Sequence, residues 1–244
     1  MQTAPSYYNE IYEEGNYDVE YKVNIDGTDY DQSNIWSLKT SRALLTADTP
    51  LVGNALVGQI DLTITKPQVQ FARMAAIKPY LRLHSRTRTR NAISGWLQKG
   101  EFFIDTRSTD ETDGIKTLQM QGFDAMRKAN VTYPSSTLTW DATHPSSLQV
   151  VQEIARHLGV SLDSRTTAVL QATPHVIAFP AQYTIAETLG SIAAMYGGNF
   201  CMSDSGKLLL VELLDLPEET FLLINENGKY ITFGGVRIKL RAGG

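Results

Sequence analysis

Short stretches of strict apolar–polar alternation run through the first half of this 244-residue chain and constrain its fold more than any other feature. In Val19–Ile25, apolar side chains occupy every second position, and Gly58–Thr65 repeats the pattern. Successive side chains of a strand point to opposite faces, so the alternation predicts half-buried strands of antiparallel sheet. Further strands are predicted from residue 30 towards residue 45 and over 79–84, 102–105 and 115–122.

Turn signals separate these strands. Asp26-Gly27 predicts a hairpin turn, because glycine adopts the positive φ that such a turn needs. Thr109–Gly114 is polar and acidic and predicts the connection between the strands on either side of it. Residues 46–57 predict a loop. Pro67 predicts the end of the strand before it, because proline has no amide hydrogen for a sheet ladder.

Helical signals are concentrated in the second half of the chain. Ser147–Leu158 carries apolar residues at helical spacing, with a serine–glutamine capping pair at its start and a glycine after its end. Thr184–Tyr196 is the clearest helix, because Thr184 and Glu187 form a capping box before an apolar stripe. A short helix is predicted over 124–128, and strands are predicted over 199–203, 208–213, 220–225 and 230–240.

This order of elements predicts an α+β protein made mainly of antiparallel sheet. The predicted organisation has four parts: an N-terminal segment (1–18), a first β-rich module (19–133), a linker rich in serine, threonine and proline (134–146), and a helical segment with a second β-containing module (147–244).

The composition limits the classes of function. A hydrophobic content of 42% and a charged content of 20% are typical of a globular chain with an apolar core. The net charge of −4 gives no general attraction to nucleic acid, and the single cysteine excludes an internal disulfide. No run approaches the roughly 20 apolar residues that span a bilayer. We therefore expect synthesis in the cytoplasm and no stable membrane insertion.

Residues able to carry chemistry are scattered. The histidines at positions 84, 144, 157 and 175 lack the spacing of metal ligands, and Cys201 is predicted to be a buried apolar residue. The densest group of acids is Asp105, Asp110, Glu111 and Asp113. It could supply a carboxylate pair for glycoside hydrolysis, but a solvated turn is the favoured interpretation. No catalytic residue, cofactor or metal is assigned.

One basic run raises a nucleic-acid hypothesis. Neutral residues alternate there with Arg82, His84, Arg86, Arg88 and Arg90. An extended backbone places all five on one face, where they could follow phosphates. The run lacks aromatic residues for base stacking, so a polar hairpin tip is favoured. A further hypothesis pairs the run with the acidic residues of a neighbouring subunit, namely Glu10, Glu13, Glu14, Asp18 and Glu20.

Aromatic residues are interleaved with acids in the N-terminal segment. Tyrosines at positions 7, 8, 12 and 17 surround Ile11, which predicts either a short docking helix or a loosely held terminus. As contact surfaces we assign the first three tyrosines and four arginines of the basic run: Tyr7, Tyr8, Tyr12, Arg82, Arg86, Arg88 and Arg90.

WLQKGEFFID at Trp96–Asp105, GFDAMRK at Gly122–Lys128 and TIAETLGSIAAMYGGNF at Thr184–Phe200 follow one another along the chain. In this order the three segments resemble the tail hub proteins of long-tailed bacteriophages, also called the tail-associated or baseplate hub family. WLQKGEFFID at Trp96–Asp105 is similar to a strand of the family that contains a tryptophan, then a glycine, an aromatic residue and Ile-Asp. Its aromatic-Asp-x-Met pattern is similar to GFDAMRK at Gly122–Lys128. Its helix-to-hairpin unit is similar to TIAETLGSIAAMYGGNF at Thr184–Phe200, which a Gly206-Lys207 turn follows.

The resemblance implies two barrel-like tube modules with packed helices in each subunit of a homotrimer. Such a ring joins the hexameric tail tube to the distal tail protein or baseplate, receives the tape-measure protein, and surrounds the genome-exit channel, with transient contact to exiting DNA. The implied location is the virion tail tip, after assembly in the host cytoplasm. A C-terminal lysin, endopeptidase or fibre region, frequent in the family, is expected to be absent here or on another polypeptide.

Three hypotheses follow. The leading one is a structural, non-enzymatic hub that forms a ring. The second is a tail-associated peptidase or cell-wall hydrolase in which Asp105 or His144 is essential. The third is a nucleic-acid-binding barrel whose affinity depends on Arg86 and Arg88 and falls steeply with salt.

Overall fold

In the computed structural model, the described residues are 4–42, 51–65, 71–87, 92–112, 114–134, 137–138, 140, 144–180 and 182–213, together with four short strands after residue 219. The chain divides into two units, Met1–Val211 and Glu212–Gly244. The module boundaries predicted around 134–146 stay a prediction.

The first unit carries most of the secondary structure. Its strands are β1 (Tyr17–Ile25), β2 (Thr28–Asp31), β3 (Ile35–Ser41), β4 (Gln59–Thr65), β5 (Ala76–Ser85), β6 (Leu97–Gln98), β7 (Phe102–Thr112), β8 (Ile115–Phe123), β9 (Gly198–Met202) and β10 (Leu208–Glu212). Its helices are α1 (Tyr8–Glu14), a 3-10 helix (Ala125–Ala129), α2 (Ser147–Leu158), α3 (Ser164–Ala172) and α4 (Ile185–Met195). The α+β class with mainly antiparallel sheet is confirmed.

Eight strands form one antiparallel sheet in the order β2-β1-β5-β7-β8-β4-β3, with β6 on β5. β5 and β7 pair at only two positions, Ala76 with Phe103 and Ile77 with Phe102. Residues 32–34 connect β2 and β3, the two ends of the path, but no ladder joins these strands among the described residues. The described sheet is therefore open, whereas the family resemblance implied barrel-like modules.

Two apolar clusters hold the first unit together. The sheet cluster takes side chains from every long strand, including Val23, Ile60 and Phe102, all fully buried. The helical cluster lies among the 3-10 helix, α2, α3, α4, β9 and β10 and includes Ile154 and Phe200. Burial of one such side chain stabilises the fold by about 1.5–3 kcal/mol, so these two clusters are the main source of stability.

Local sequence signals explain the helix ends. Both predicted capping boxes are present, at Ser146 with Gln149 and at Thr184 with Glu187. Asp26 and Gly27 both have positive φ, as the predicted hairpin turn requires. No helix among the described residues is long and apolar enough to cross a membrane.

The structure departs from the sequence predictions at three places. The strand expected from residue 30 towards residue 45 is two strands, because Asp31 accepts hydrogen bonds from the backbone and hydroxyl of Ser33 and turns the chain. The hairpin connection predicted over Thr109–Gly114 is present but shorter, since β7 continues to Thr112, β8 begins at Ile115 and the two strands pair antiparallel. Helix α3 was not predicted. Pro67 lies outside the described residues.

The second unit contains four short strands, β11 (Thr220–Leu222), β12 (Thr232–Phe233), β13 (Val236–Arg237) and β14 (Lys239–Arg241). β11 pairs with β14 and β12 pairs with β13, both antiparallel. Strands were predicted over 220–225 and 230–240, and the paired strands lie within these ranges except for the last residue of β14, Arg241.

Candidate functional site

The basic run begins on strand β5, and its three described bases are paired within the chain. Arg82 Nε donates to Glu20 Oε2 at 2.6 Å, and His84 Nε2 lies 2.5 Å from the same oxygen. Arg86 Nε donates to Asp18 Oδ2 at 2.7 Å. β1 lies beside β5 in antiparallel register and brings these carboxylates opposite the bases. The predicted pairing of opposite charges therefore occurs between neighbouring strands of one chain.

The ion pairs change the acid–base behaviour of this outer face. The hydrogen bond from Arg86 lowers the pKa of Asp18, and the hydrogen bond from Arg82 lowers the pKa of Glu20. The pKa of Arg86 is raised in return by its hydrogen bond to Asp18. Both carboxylates stay ionised under mildly acidic conditions and neutralise their arginines.

The indole ring of Trp96 contacts two cations of this charged face. The guanidinium of Arg82 lies 4.5 Å from the ring centroid of Trp96, and Lys22 Nζ lies 4.9 Å from the same centroid. Lys22 also donates to Asp29 at 2.6 Å. We call the described part of the face the β1–β5 charge stripe (Asp18, Glu20, Lys22, Arg82, His84, Arg86), and each of its arginines and its lysine has a carboxylate partner in the same chain. Arg88 and Arg90 lie outside the described residues.

The N-terminal tyrosines lie on a short helix, one of the two predicted alternatives. Ile11 is fully buried and anchors α1 against the sheet. Tyr8 and Tyr12 stack at 6.4 Å between centroids, and Tyr12 and Tyr17 at 6.0 Å. Tyr7 and Tyr12 are more than half exposed. Their role as a contact surface remains a prediction, as does that of the arginines.

A polar cleft of about 560 Å³ lies where the sheet meets the helical cluster. Its lining contains three basic and three acidic side chains, which are Arg42, Arg165, Lys207, Asp124, Asp163 and Asp204. Equal numbers of opposite charges give the cleft no formal charge to offer a charged ligand.

Arg42 is the centre of the cleft. It follows β3 directly, and its guanidinium forms an ion pair with Asp204, in the turn between β9 and β10. Lys99 Nζ lies 3.2 Å from the other oxygen of Asp204. The guanidinium also lies 5.3 Å from the ring centroid of Phe102. Arg42 thereby links the sheet to the β9–β10 hairpin.

Asp124 is the most deeply buried carboxyl of the cleft, only 3% exposed. Its two oxygens accept hydrogen bonds from the backbone amides of Gly58 (2.8 Å) and Met126 (3.1 Å), and it caps the 3-10 helix. Burial raises the pKa of Asp124 to about 6, against the lowering effect of these bonds and of Arg42. A Cβ at Gly58 would lie 2.6 Å from Asp124 Oδ2, so the close approach requires glycine.

Cys201 lies on β9 and lines the same cleft. Burial raises the pKa of its thiol to about 11, so the neutral thiol predominates at physiological pH. A nucleophilic role needs a thiolate, and this environment disfavours one. The contacts of the cleft are those of a structural joint between two layers.

The other sequence candidates are not brought together with one another. Asp105, Asp110 and Glu111 follow one another along β7, and Asp105 pairs with Arg73 at 3.0 Å. His144 is exposed at the start of α2, while Asp113 lies outside the described residues. No group of three metal-ligating side chains occurs in the part of the chain that the structure describes.

Sequence reasoning did not find the cleft. Arg42 and Asp204 are 162 positions apart, and neither belongs to a recognisable motif. Asp124 offered one signal, since an aspartate before a short helical stretch is typical of an N-cap. That signal predicts the cap but not the contact with Gly58, 66 positions earlier in the chain.

The fold is similar to that of solved bacteriophage tail proteins. A tail protein from Neisseria meningitidis MC58 aligns with a TM-score of 0.50 and 12% identity, over 79% of this chain and 50% of that one. The 43 kDa tail protein of prophage MuSo2 from Shewanella oneidensis aligns with a TM-score of 0.52 and 14% identity, over 80% of this chain and 54% of that one.

These comparisons show a shared fold at low sequence identity, and the chain spans about half the length of each tail protein. No protein-family model and no curated protein matches the sequence. The chain therefore has a fold found in phage tail proteins.

Proposed function

We propose that the chain is a structural subunit of a bacteriophage tail tip or baseplate, a hub that assembles as a trimeric ring, joins the tail tube to the tip and surrounds the genome-exit channel. The observation that carries the proposal is the fold likeness to two phage tail proteins over about four fifths of the chain. The three segments that resemble the tail hub family support the same assignment.

The charged sites favour a structural role. The arginines of the β1–β5 charge stripe that the structure describes are held by carboxylates of the same chain, which leaves little net charge for phosphates. The cleft holds paired charges, a neutral thiol and a capping carboxyl, and these groups join the sheet to the helical cluster. Neither site supplies an activated nucleophile beside a base.

Multi-angle light scattering of the purified chain at micromolar concentration tests the assembly. The expected mass is three times the 27.1 kDa of one chain, and negative-stain images should show rings with a central hole. A single-chain mass at every concentration would contradict the hub. Rings of another stoichiometry would contradict the trimer and leave the ring itself standing.

Immunogold labelling of phage particles tests the location. Antibodies against this chain should label the tail end remote from the capsid. In the proposed complex the neighbours are the distal tail protein, the tail tube protein and the tape-measure protein. Labelling along the whole tail, or on the capsid, would contradict a position at the tip.

A further inference from the structure

Half of strand β1 has an open edge. β2 pairs only with the stretch from Lys22 to Ile25, which leaves Tyr17–Tyr21 with β5 on one side and no paired strand on the other among the described residues. Gln32 Nε2 donates to the Val19 carbonyl at 3.2 Å from that open side. The backbone N–H and C=O groups of Val19 point away from β5. Those of Tyr17 and Tyr21 point the same way, because every second residue of a strand directs its backbone groups to the same edge.

This open edge also exposes apolar side chains. Val19 is 47% exposed and Tyr21 is 39% exposed, although both lie on the face that carries the fully buried Val23 and Ile25. Tyr17 continues the same face towards the tyrosine stack of α1. An unpaired strand edge with exposed apolar residues is a template for another strand, and natural proteins usually protect such edges.

A second open edge lies at the other end of the sheet. Within the described ranges β3 pairs with β4 alone, and its core-facing side carries the half-buried Leu38, opposite Leu62. Trp36 on β3 is 67% exposed, the largest exposed fraction of any large apolar side chain described. Lys39 lies on the outer face. β7 also has a free edge, but that edge is a poor match for the apolar edge of β1, since its exposed residues over 106–111 are all polar.

We propose that the open edge of β1 pairs with the open edge of β3 from a second copy of this chain. The pairing rests on the ring proposed above and identifies the surfaces that would form it. It aligns apolar with apolar on the core-facing side, where Val19 meets Leu38. On the outer face it brings Lys39 next to Asp18 and Glu20, which lie between Lys39 and the arginines with which they already pair, so Lys39 meets the acidic side of these ion pairs.

The geometry has a consequence for assembly. The two edges are different, so each copy pairs its β1 edge with one neighbour and its β3 edge with the other, and the contact is heterologous. Heterologous contacts generate closed rings when the rotation between copies closes. A backbone amide of the incoming strand takes the place of Gln32 at the Val19 carbonyl.

Cross-linking tests the pairing directly. Val19→Cys is combined in turn with Trp36→Cys, Leu38→Cys and Thr40→Cys in a Cys201→Ala background, and each double variant is treated with a short bis-maleimide. At least one double variant should give covalent oligomers up to the full ring, while each single variant stays uncross-linked. Cross-linked dimers from Val19→Cys alone would reveal a symmetric contact and overturn the proposal.

A charge at the edge gives an independent test with a matched control. Val19→Lys should raise the dissociation constant of the oligomer at least about tenfold, because an edge lysine blocks strand pairing. Val176→Lys introduces the same change at a position that is 65% exposed, away from both edges, and should leave the mass unchanged. Both variants should keep the circular dichroism spectrum of the unmodified chain.

The outcomes separate this inference from the proposed function. An unmodified chain that forms rings, with no cross-link in any double variant and an unchanged mass for Val19→Lys, would overturn the edge pairing and leave the hub intact. If Val176→Lys loses assembly while Val19→Lys keeps it, the contact between copies lies elsewhere, and the edge pairing is overturned. An unmodified chain that stays monomeric would overturn both.

Discussion

Two groups of charged side chains in this protein use the same chemistry in different surroundings. The β1–β5 charge stripe lies on the outer face of the sheet, where Glu20 and Asp18 pair with arginines in contact with water. In the cleft, Asp124 is almost fully buried and accepts two backbone hydrogen bonds. Burial decides what each carboxyl contributes to stability.

The two groups respond to pH in opposite directions. The pKa of Asp124 is raised to about 6, so the folded chain holds its proton more tightly than the unfolded chain, and this contribution to stability is lost as pH rises through about 6. The pKa values of Asp18 and Glu20 are lowered by their arginine partners. The contribution of these two carboxylates to stability is present above their pKa in the unfolded chain. It is lost as pH falls through their lower pKa in the folded chain.

Removal of the buried carboxyl should have the largest effect. Asp124→Ala leaves the amides of Gly58 and Met126 buried without acceptors, and the free energy of unfolding should fall by about 3 kcal/mol. Urea denaturation at pH 5 measures it. Asp163→Ala, which removes another aspartate N-cap at the rim of the cleft, is the control and should cost about 1 kcal/mol. Equal losses would show that the contact with Gly58 adds nothing to the cap.

The pH profile isolates the titration of Asp124. Between pH 4 and pH 7.5, the free energy of unfolding of the unmodified chain should fall by about 2 to 3 kcal/mol relative to Asp124→Asn. The reason is that a pKa shift of one unit corresponds to about 1.4 kcal/mol. Urea titrations of both proteins at each pH give the difference. Parallel profiles would contradict the raised pKa.

A methyl group at position 58 tests the close approach. Gly58→Ala places a Cβ 2.6 Å from Asp124 Oδ2 and 3.2 Å from Arg42 Cγ, and should cost about 2 kcal/mol through overpacking. The same substitution in an Asp124→Ala background should cost less, because the nearer clash is gone. Thermal unfolding of the four proteins gives this double-mutant cycle, and strict additivity would locate the strain elsewhere.

The outer stripe should give the smallest effect. Glu20→Gln weakens the contacts to Arg82 and His84, both partly exposed, and should lower the free energy of unfolding by less than about 1 kcal/mol. The loss should shrink further in 0.5 M salt, because ions screen exposed charges. A loss that is large or independent of salt would show that the stripe behaves like the cleft.

Regular local patterns made much of the fold predictable. The alternation in Val19–Ile25 and Gly58–Thr65 predicted β1 and β4, and the capping boxes predicted α2 and α4 to within a residue. Helix α3 escaped because only Thr166 and Leu170 of its residues are buried, which leaves almost no apolar stripe. The turn after Asp31 was detectable, since an aspartate followed by serine and asparagine is typical of a side-chain-stabilised turn.

The sites were less predictable than the elements. The alternation of the basic run placed Arg82, His84 and Arg86 on one face, but it did not indicate whether their acidic partners belong to the same chain. Strand order settles that question, since β1 lies beside β5. The barrel expected from the family resemblance also depended on strand order, and in the described sheet β2 and β3 do not pair with each other.

The sequence by itself determined the period of each element, the helix ends and the hairpin at Asp26-Gly27, because these features depend on residues within a few positions of one another. The tertiary structure alone decided that Arg42 meets Asp204, that Asp124 is buried against Gly58, and which strand edges remain open. Those features bring together residues 66 to 162 positions apart, and a carboxyl takes its charge state from the water and the partners around it.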